Sequence, residues 1–221
     1  MKFTNQLVDV LRNFSTINQS ILFKPGKTVS TVSPLKTILA NAVVDVEIEK
    51  EFAIYDLHEF LAILSLMPNC DVNFTEHQIV LGTKQKKIKY TFAHPSTIVA
   101  SQYNSIELQS NDIITTFDLP YSEINNLNKI SAIWKSDTIT IEGDDGNIVI
   151  RAGNIKDSSS SNYVFEVQNV FKPFTQRFSL SLKIESLKVL NKNYTVVIPN
   201  KKLIQMTDID QSVTYWIATD K

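Results

Sequence analysis

The chain has 221 residues, 43% of them hydrophobic, with a formal net charge of −1 and a single cysteine. Its length allows one large domain or two of about 110 residues. The balanced charge excludes a global basic field for nucleic acid, and one cysteine excludes an internal disulfide framework. The Met-Lys-Phe start does not read as a signal peptide, and no apolar run of about 18 residues occurs. We expect a soluble, cytosolic protein.

The first half begins with a helix and continues with strands. The pattern predicts a helix over about 4–13, with an apolar stripe that includes Leu7, Val10 and Phe14. Strands are predicted from the β-rich composition and the polar turns between them. They cover about 17–23, 27–31, 41–47, 70–74, 78–81 and 87–92.

The stretch 52–68 contains a strand, a helix cap and a helix. Phe52 to Tyr55 suits a buried strand end. Asp56 can cap the helix that follows, with Glu59 three residues on as in a capping box. Pro68 is expected to end the helix. Cys70, just beyond, is expected to be a small buried residue.

A serine-rich stretch over 94–111 is predicted to connect two halves. The second half then repeats the plan. A helix is predicted from about Pro120, a hairpin around Gly143-Asp-Asp-Gly146, a loop over Ser158 to Ser161 and a short helix over 183–190. Strands are predicted over 113–117, 137–142, 147–151, 162–167, 174–180, 194–198, 202–207 and 213–218.

Several pieces of the chain resemble the sliding clamps, or DNA polymerase processivity factors, of large tailed bacteriophages. They are Leu11-Arg-Asn-Phe-Ser-Thr-Ile-Asn18, the stretch 52–66 and His94-Pro-Ser-Thr-Ile-Val-Ala100. Sparser matches lie at 136–141, 146–150 and Asn193-Tyr194. The resemblance covers nearly the whole chain.

The resemblance implies an α+β DNA-clamp fold with two similar domains, 1–108 and 109–221, each with two helices packed on antiparallel sheets. It implies a homotrimeric ring, joined head to tail, that encircles double-stranded DNA in the host cell cytoplasm. The implied partners are the replicative DNA polymerase and an ATP-driven clamp loader. No membrane, metal, cofactor or catalytic chemistry is implied.

Exposed lysines and arginines would supply DNA contacts that do not depend on sequence. The candidates lie on the polar stripes of the helices or beside them, and one lies in the basic cluster Lys84-Gln-Lys-Lys-Ile-Lys89. The alternative for the stripes is a solvated helix face, and for the cluster a row of lysines that protects an edge strand. The candidates are Lys2, Arg12, Lys87, Lys129, Lys135, Lys183, Lys188 and Lys192.

The resemblance also implies two protein-binding surfaces. The strand over 88–92 would approach a strand near 162–167 of the next subunit. A pocket for partner peptides would lie near the connector and the C-terminal end of the second domain. Its candidates are Ile98, Val99, Tyr103, Tyr215 and Ile217.

Two other readings of the sequence differ in class. An enzyme could use Asp144 and Asp145, or His94 with Asp71, but these groups do not assemble a nucleophile, a base and an orienting group. An oligomeric, β-rich phage structural protein, such as a tail or baseplate module, would also be rich in strands. It would lack basic stripes on exposed helix faces.

Overall fold

A computed structural model describes residues 2–67, 70–83, 85–153 and 161–220. The chain divides into two compact units, Met1–Ser105 and Ile106–Lys221. The sequence placed the boundary slightly later, between 108 and 109. The predicted helix stop at Pro68, the cluster residue Lys84 and most of the serine loop, 158–160, lie outside the described residues.

Within the described residues, the first unit holds helices α1 and α2 and seven strands. Strand β1 pairs with β4, β2 pairs with the long β3, and β5, β6 and β7 form a three-stranded antiparallel sheet. The elements are α1 (Asn5–Ile17), β1 (Ile21–Phe23), β2 (Gly26–Val32), β3 (Ile38–Ile48), β4 (Phe52–Ile54), α2 (Leu57–Leu66), β5 (Asp71–Phe74), β6 (Gln78–Gly82) and β7 (Lys87–Thr91).

In its described part, the second unit holds helix α3 and eight strands. One sheet has the order β11-β10-β9-β12, and β15, β14, β13 and β8 are antiparallel neighbours in that order. The elements are β8 (Ile113–Leu119), α3 (Tyr121–Trp134), β9 (Thr138–Asp144), β10 (Asn147–Gly153), β11 (Asn162–Glu166), β12 (Phe178–Lys183), β13 (Tyr194–Pro199), β14 (Leu203–Asp208) and β15 (Val213–Ala218).

Each unit has its own apolar core, with helix and strand side chains contributing to it. In the first unit Leu7 and Phe14 of α1 and Phe60 of α2 are fully buried, and the rings of Phe23 and Phe52 stack with centroids 4.5 Å apart. In the second unit Ile124 and Leu127 of α3 are fully buried, as are Tyr194 and Tyr215, whose ring centroids lie 6.0 Å apart.

Local signals in the sequence place most elements correctly. The side chain of Asp56 accepts a hydrogen bond from the Glu59 amide at 2.9 Å, so the predicted helix cap is confirmed. The hairpin between β9 and β10 is also confirmed. Asp145 and Gly146 both have positive φ, 45° and 83°, as a tight hairpin turn between two twisted strands requires. Cys70 is buried, as predicted.

Two helix predictions were wrong in extent. Helix α1 continues to Ile17, because Phe14 and Ile17 extend its buried stripe by one turn. The predicted helix over 183–190 is only a 3-10 turn, Ile184–Ser186. Leu187 and Val189 are both buried around an exposed Lys188, which is the alternation of an extended chain. Among the described residues no helix is long and apolar enough to cross a membrane.

Candidate nucleic-acid interface

Arg12 lies on the exposed face of α1. The hydroxyl of Thr4 accepts from the Leu7 amide and starts the helix, and burial of Leu7 and Phe14 turns the opposite face to solvent. The guanidinium of Arg12 lies 3.2 Å from the Asp9 carboxylate, and both side chains are more than 60% exposed. An ion pair this exposed contributes little. Arg12 can therefore exchange Asp9 for a phosphate at small cost.

Lys129 lies on the exposed face of α3, opposite the buried Ile124 and Leu127. Lys135 follows the last residue of that helix, in the left-handed conformation with φ of 52°. Its side chain is exposed. The position predicted for Lys129 from helix periodicity matches the described structure, and Lys135 follows the helix as expected. Both side chains are exposed and accessible to an anion.

Lys135 and Lys188 line one open cleft between the end of α3 and the 3-10 turn. The cleft has a volume of about 310 Å³, and Asp137 and Glu185 line it as well. Two ammonium groups and two carboxylates therefore share the cleft. Such a surface attracts phosphate only weakly, because each cation has an acidic neighbour.

Lys192, a predicted DNA contact, has acidic partners within its own unit. Its ammonium lies 2.6 Å from the Asp208 carboxylate, 2.8 Å from the Ser212 hydroxyl and 3.5 Å from Asp210. Burial alone lowers the pKa of Lys192, but the bonds to Asp208 and Asp210 outweigh it and raise the pKa. Lys192 is a structural residue that neutralises the buried Asp208.

The remaining basic candidates are scattered. Lys2 is exposed just before α1, and Lys87 is exposed at the start of β7. Lys183 is exposed at the end of β12, with its ammonium 3.9 Å from the Glu185 carboxylate.

The predicted peptide pocket is only partly at the surface. Val99 and Tyr103 of the connector are 41% and 71% exposed, and Ile98 is half-buried. Tyr215 and Ile217 are fully buried in the second unit, so the expectation that they line a surface pocket was wrong. Alternation along β15 placed both on its inner face, and the sequence did not show which face that was.

A cleft beside the connector was missed from the sequence. It has a volume of about 130 Å³, and Ser101 and Asn104 of the connector lie against the Pro25 turn and Ser30 of β2. The hydroxyl of Ser30 bonds Asn104 at 3.3 Å. The Pro25-Gly26 pair was the available signal, but it indicated only a turn.

The groups considered for catalysis have structural partners. The Asp144 carboxylate accepts a bond from Arg177 at 2.8 Å, beside the hairpin turn. The His94 imidazole caps the short 3-10 turn at Pro95–Thr97, with Nδ1 2.7 Å from the Ser96 hydroxyl. Among the described residues no group of three or more His, Cys, Asp or Glu side chains could hold a metal ion.

Sequence comparison shows which known proteins this chain is similar to. The family profile described as "DNA polymerase processivity factor" matches residues 4–100. The chain is 26% identical to the sliding clamp of Vibrio phage KVP40 over 221 residues, 100% of this chain and 99% of that one. It is 28% identical to the sliding clamps of Escherichia phage RB69 and Enterobacteria phage T4, over 90% of this chain and 87% of each.

The chain is similar to phage sliding clamps over 90% or more of its length. The resemblance read from the sequence is thereby confirmed.

Solved structures agree on the fold. The proliferating cellular nuclear antigen (PCNA) of Entamoeba histolytica superposes with a TM-score of 0.72 at 13% identity, covering 98% of this chain and 95% of that one. The A. fulgidus PCNA, solved with the C-terminal region of FEN-1 bound, gives 0.71 at 14% identity, covering 97% and 95%. The predicted α+β clamp fold is confirmed, with a 3-10 turn where a fourth helix was expected.

Proposed function

We propose that this chain is a processivity clamp. Three copies join head to tail in a ring that encircles duplex DNA and tethers the replicative DNA polymerase. The observation that carries the proposal is similarity to curated sliding clamps along the whole chain, together with a clamp fold. A closed ring holds DNA by topology, so the protein needs no tight contact with it.

Its DNA contacts are expected to be weak and indifferent to sequence. Arg12, Lys129 and Lys188 are exposed, and acidic neighbours such as Asp9 and Glu185 limit the local positive charge. Phosphate contacts of this kind supply affinity that falls steeply with salt. A ring with few such contacts can slide without stopping at any sequence.

The role in infected cells follows from the same proposal. An ATP-driven loader opens the ring around DNA in the host cytoplasm, and the clamp itself contributes position and not catalysis. The rival reading as a tail or baseplate module lacks a specific observation in its favour, whereas exposed basic side chains on α1 and α3 favour contact with DNA.

The mass of the assembly in solution tests the proposed trimer. Light scattering at micromolar concentration should give about three times the chain mass of 25.0 kDa. A stable monomer under these conditions would contradict the ring.

Processivity tests the DNA contacts. Primer extension on long templates, with a phage polymerase and loader, should give longer products when the chain is added. Replacing Arg12, Lys129 and Lys188 by Glu should shorten the products at least tenfold while the trimer remains. The inner surface of the ring, to which these residues are assigned as its lining, would then repel phosphate. The matched control replaces the exposed Lys27, Lys36 and Lys202 by Glu, the same charge change away from the helices. Equal loss in both variants would reject the assigned lining.

A further inference from the structure

A cavity with an acidic lining opens on the first unit, beside the start of β4. It has a volume of about 300 Å³. Phe52, Phe92 and Pro95 supply apolar surface to this acidic cavity, and Glu51 and Glu76 supply two carboxylates. The volume lies at the lower end of the range for ligand sites, which suits one side chain of a partner rather than a larger molecule.

Backbone hydrogen bonds join the three segments that line the acidic cavity. The Ala93 amide donates to the Ala53 carbonyl at 2.9 Å, and the Phe92 amide donates to the His77 carbonyl at 2.9 Å. The rings of Phe52 and Phe92 pack with centroids 5.2 Å apart. Because all of these groups belong to the first unit, a single copy of the chain suffices to form the cavity.

The two carboxylates have no basic partner from lysine or arginine. In the described part of the chain, no such side chain lies within ion-pair distance of Glu51 or Glu76. The His77 imidazole lies 3.8 Å from the Glu76 carboxylate, and both side chains are at least 80% exposed. Solvent screens a contact this exposed, so it contributes little. Both carboxylates are therefore available to a cation from another molecule.

The segment that leads into the acidic cavity is itself acidic. Four acidic residues alternate along 45–51, where Lys50 is the one basic residue. They are Asp45, Glu47, Glu49 and Glu51. A surface of this charge repels phosphate and attracts cations. The ligand that fits is therefore a cationic group of a protein and not a nucleic acid.

An aromatic ring of the acidic cavity already interacts with a cation. The Lys50 ammonium lies 4.9 Å from the centre of the Phe92 ring and 5.6 Å from the centre of the Phe74 ring, and it donates to the Thr75 carbonyl. A cation over an aromatic face is attracted by the negative charge of that face. These rings consequently accommodate a positive charge beside them.

We propose that the acidic cavity binds the side chain of an arginine from a basic segment of a protein partner. The planar guanidinium donates to the Glu51 and Glu76 carboxylates and stacks on an aromatic ring, whereas a lysine ammonium makes only a point contact. The methylenes of the arginine lie against the apolar lining. This inference rests on the proposed function only in that a clamp has protein partners, since the cavity itself needs no ring.

Peptide binding to the full chain tests the recognition of charge. The probes are two short peptides that carry the same neutral dye. One has a central arginine between two leucines, and the other has citrulline in its place, which keeps the shape and removes the charge. At pH 8, where an ordinary imidazole is neutral, the arginine peptide should bind at least tenfold more tightly in fluorescence anisotropy. Equal affinities would reject the site.

Two matched double variants locate the binding. Glu51→Gln with Glu76→Gln should reduce the affinity for the arginine peptide to that for the citrulline peptide, and should leave citrulline binding unchanged. Glu47→Gln with Glu49→Gln makes the same change of charge on exposed residues outside the lining, and should cost less than twofold. Equal losses in the two variants would show a general acidic surface and overturn the site.

Charge exchange gives an independent test. Glu51→Lys with Glu76→Lys should bind a peptide with a central glutamate more tightly than the arginine peptide, and the native chain should show the opposite order. Both positions are exposed, so the circular dichroism of the variant should match that of the native chain. An unchanged order of affinities would contradict direct contact between these carboxylates and the guanidinium.

Light scattering on the same samples separates this site from the proposed ring. A trimer without a preference for arginine rejects the site alone. A monomer that keeps the preference rejects the ring and supports the site.

Discussion

As far as the structure describes them, the first unit packs two α-helices against its strands, whereas the second has one α-helix and an extended segment that follows the 3-10 turn Ile184–Ser186. A helix satisfies its own backbone groups, but an extended segment needs partners from elsewhere. In the second unit side chains supply them. The Tyr194 hydroxyl donates to the Leu190 carbonyl at 2.8 Å, and the Leu190 amide donates to the Tyr215 hydroxyl at 3.2 Å.

Lys192 belongs to the same group of contacts. It lies between the extended segment and β13 and reaches the Asp208 carboxylate at the end of β14. Asp208 also accepts from the Val213 amide at 2.7 Å and the Ser212 hydroxyl at 2.8 Å. The second unit therefore holds this extended segment with a buried polar network. The network depends on a few individual side chains.

The largest effect should follow removal of the centre of that network. Asp208→Ala leaves the Val213 amide without its acceptor and removes the shortest ion pair of Lys192, so it should lower the free energy of unfolding by about 2–3 kcal/mol. Denaturant unfolding measures the loss, and amide hydrogen exchange should place it in residues 106–220. Asp210→Ala is the control, because Asp210 is 79% exposed and 3.5 Å away, and it should change little. Similar losses in the two variants would reject the network.

A smaller loss is expected from Tyr194→Phe. The ring still fills the core, but the Leu190 carbonyl loses its donor, so stability should fall by about 1–2 kcal/mol. Faster hydrogen exchange over 187–194, with unchanged exchange in α1 and α2, would sharpen the contrast between the units. Tyr55→Phe on the exposed surface should have no effect. An unchanged exchange rate over 187–194 would show that the bond is dispensable.

In the first unit the comparable weak point is a helix cap. Asp56→Ala removes the acceptor for the Glu59 amide and should cost about 1 kcal/mol. Asp56→Asn keeps a cap and should recover most of the loss in the same unfolding assay. If Ala and Asn were equally destabilising, the carboxylate would matter through its charge, and the bond to Gln19 would be the next one to remove.

The smallest expected effect is a difference in stability at acidic pH, caused by the Asp208 carboxyl. Burial alone raises the pKa of Asp208, but bonds from Lys192, Val213 and Ser212 outweigh it and hold the pKa below its ordinary value. A lowered pKa adds stability above about pH 4, where the unfolded carboxyl ionises, and that stability is lost as pH falls through the folded pKa. Between pH 6 and pH 3 the free energy of unfolding should therefore fall more for the native chain than for Asp208→Asn. Parallel curves would contradict this linkage.

Local signals were enough where one short segment decides the structure. The Asp56 cap, the Asp145-Gly146 turn and the buried stripe of α1 depend on residues within a few positions of one another. Periodicity likewise placed Arg12 and Lys129 on exposed faces, because each helix has one buried stripe. The prediction of a fourth helix was wrong because Leu187 and Val189 are buried in alternation, as in an extended chain. The pair Ile184 and Leu187, three residues apart, instead suggested the spacing of a helix.

The sequence by itself determined the order of most helices and strands, the two-unit plan and the resemblance to phage sliding clamps, since these follow from local patterns and from motifs. Tertiary structure decided which charged and aromatic side chains remain available. Lys192 and Asp208 are 16 positions apart, and Tyr163 and Glu123 are 40 apart, yet each pair is bonded. Whether a lysine meets DNA or a buried carboxylate, and whether Tyr215 lines a pocket or the core, depends on which distant strand folds against it.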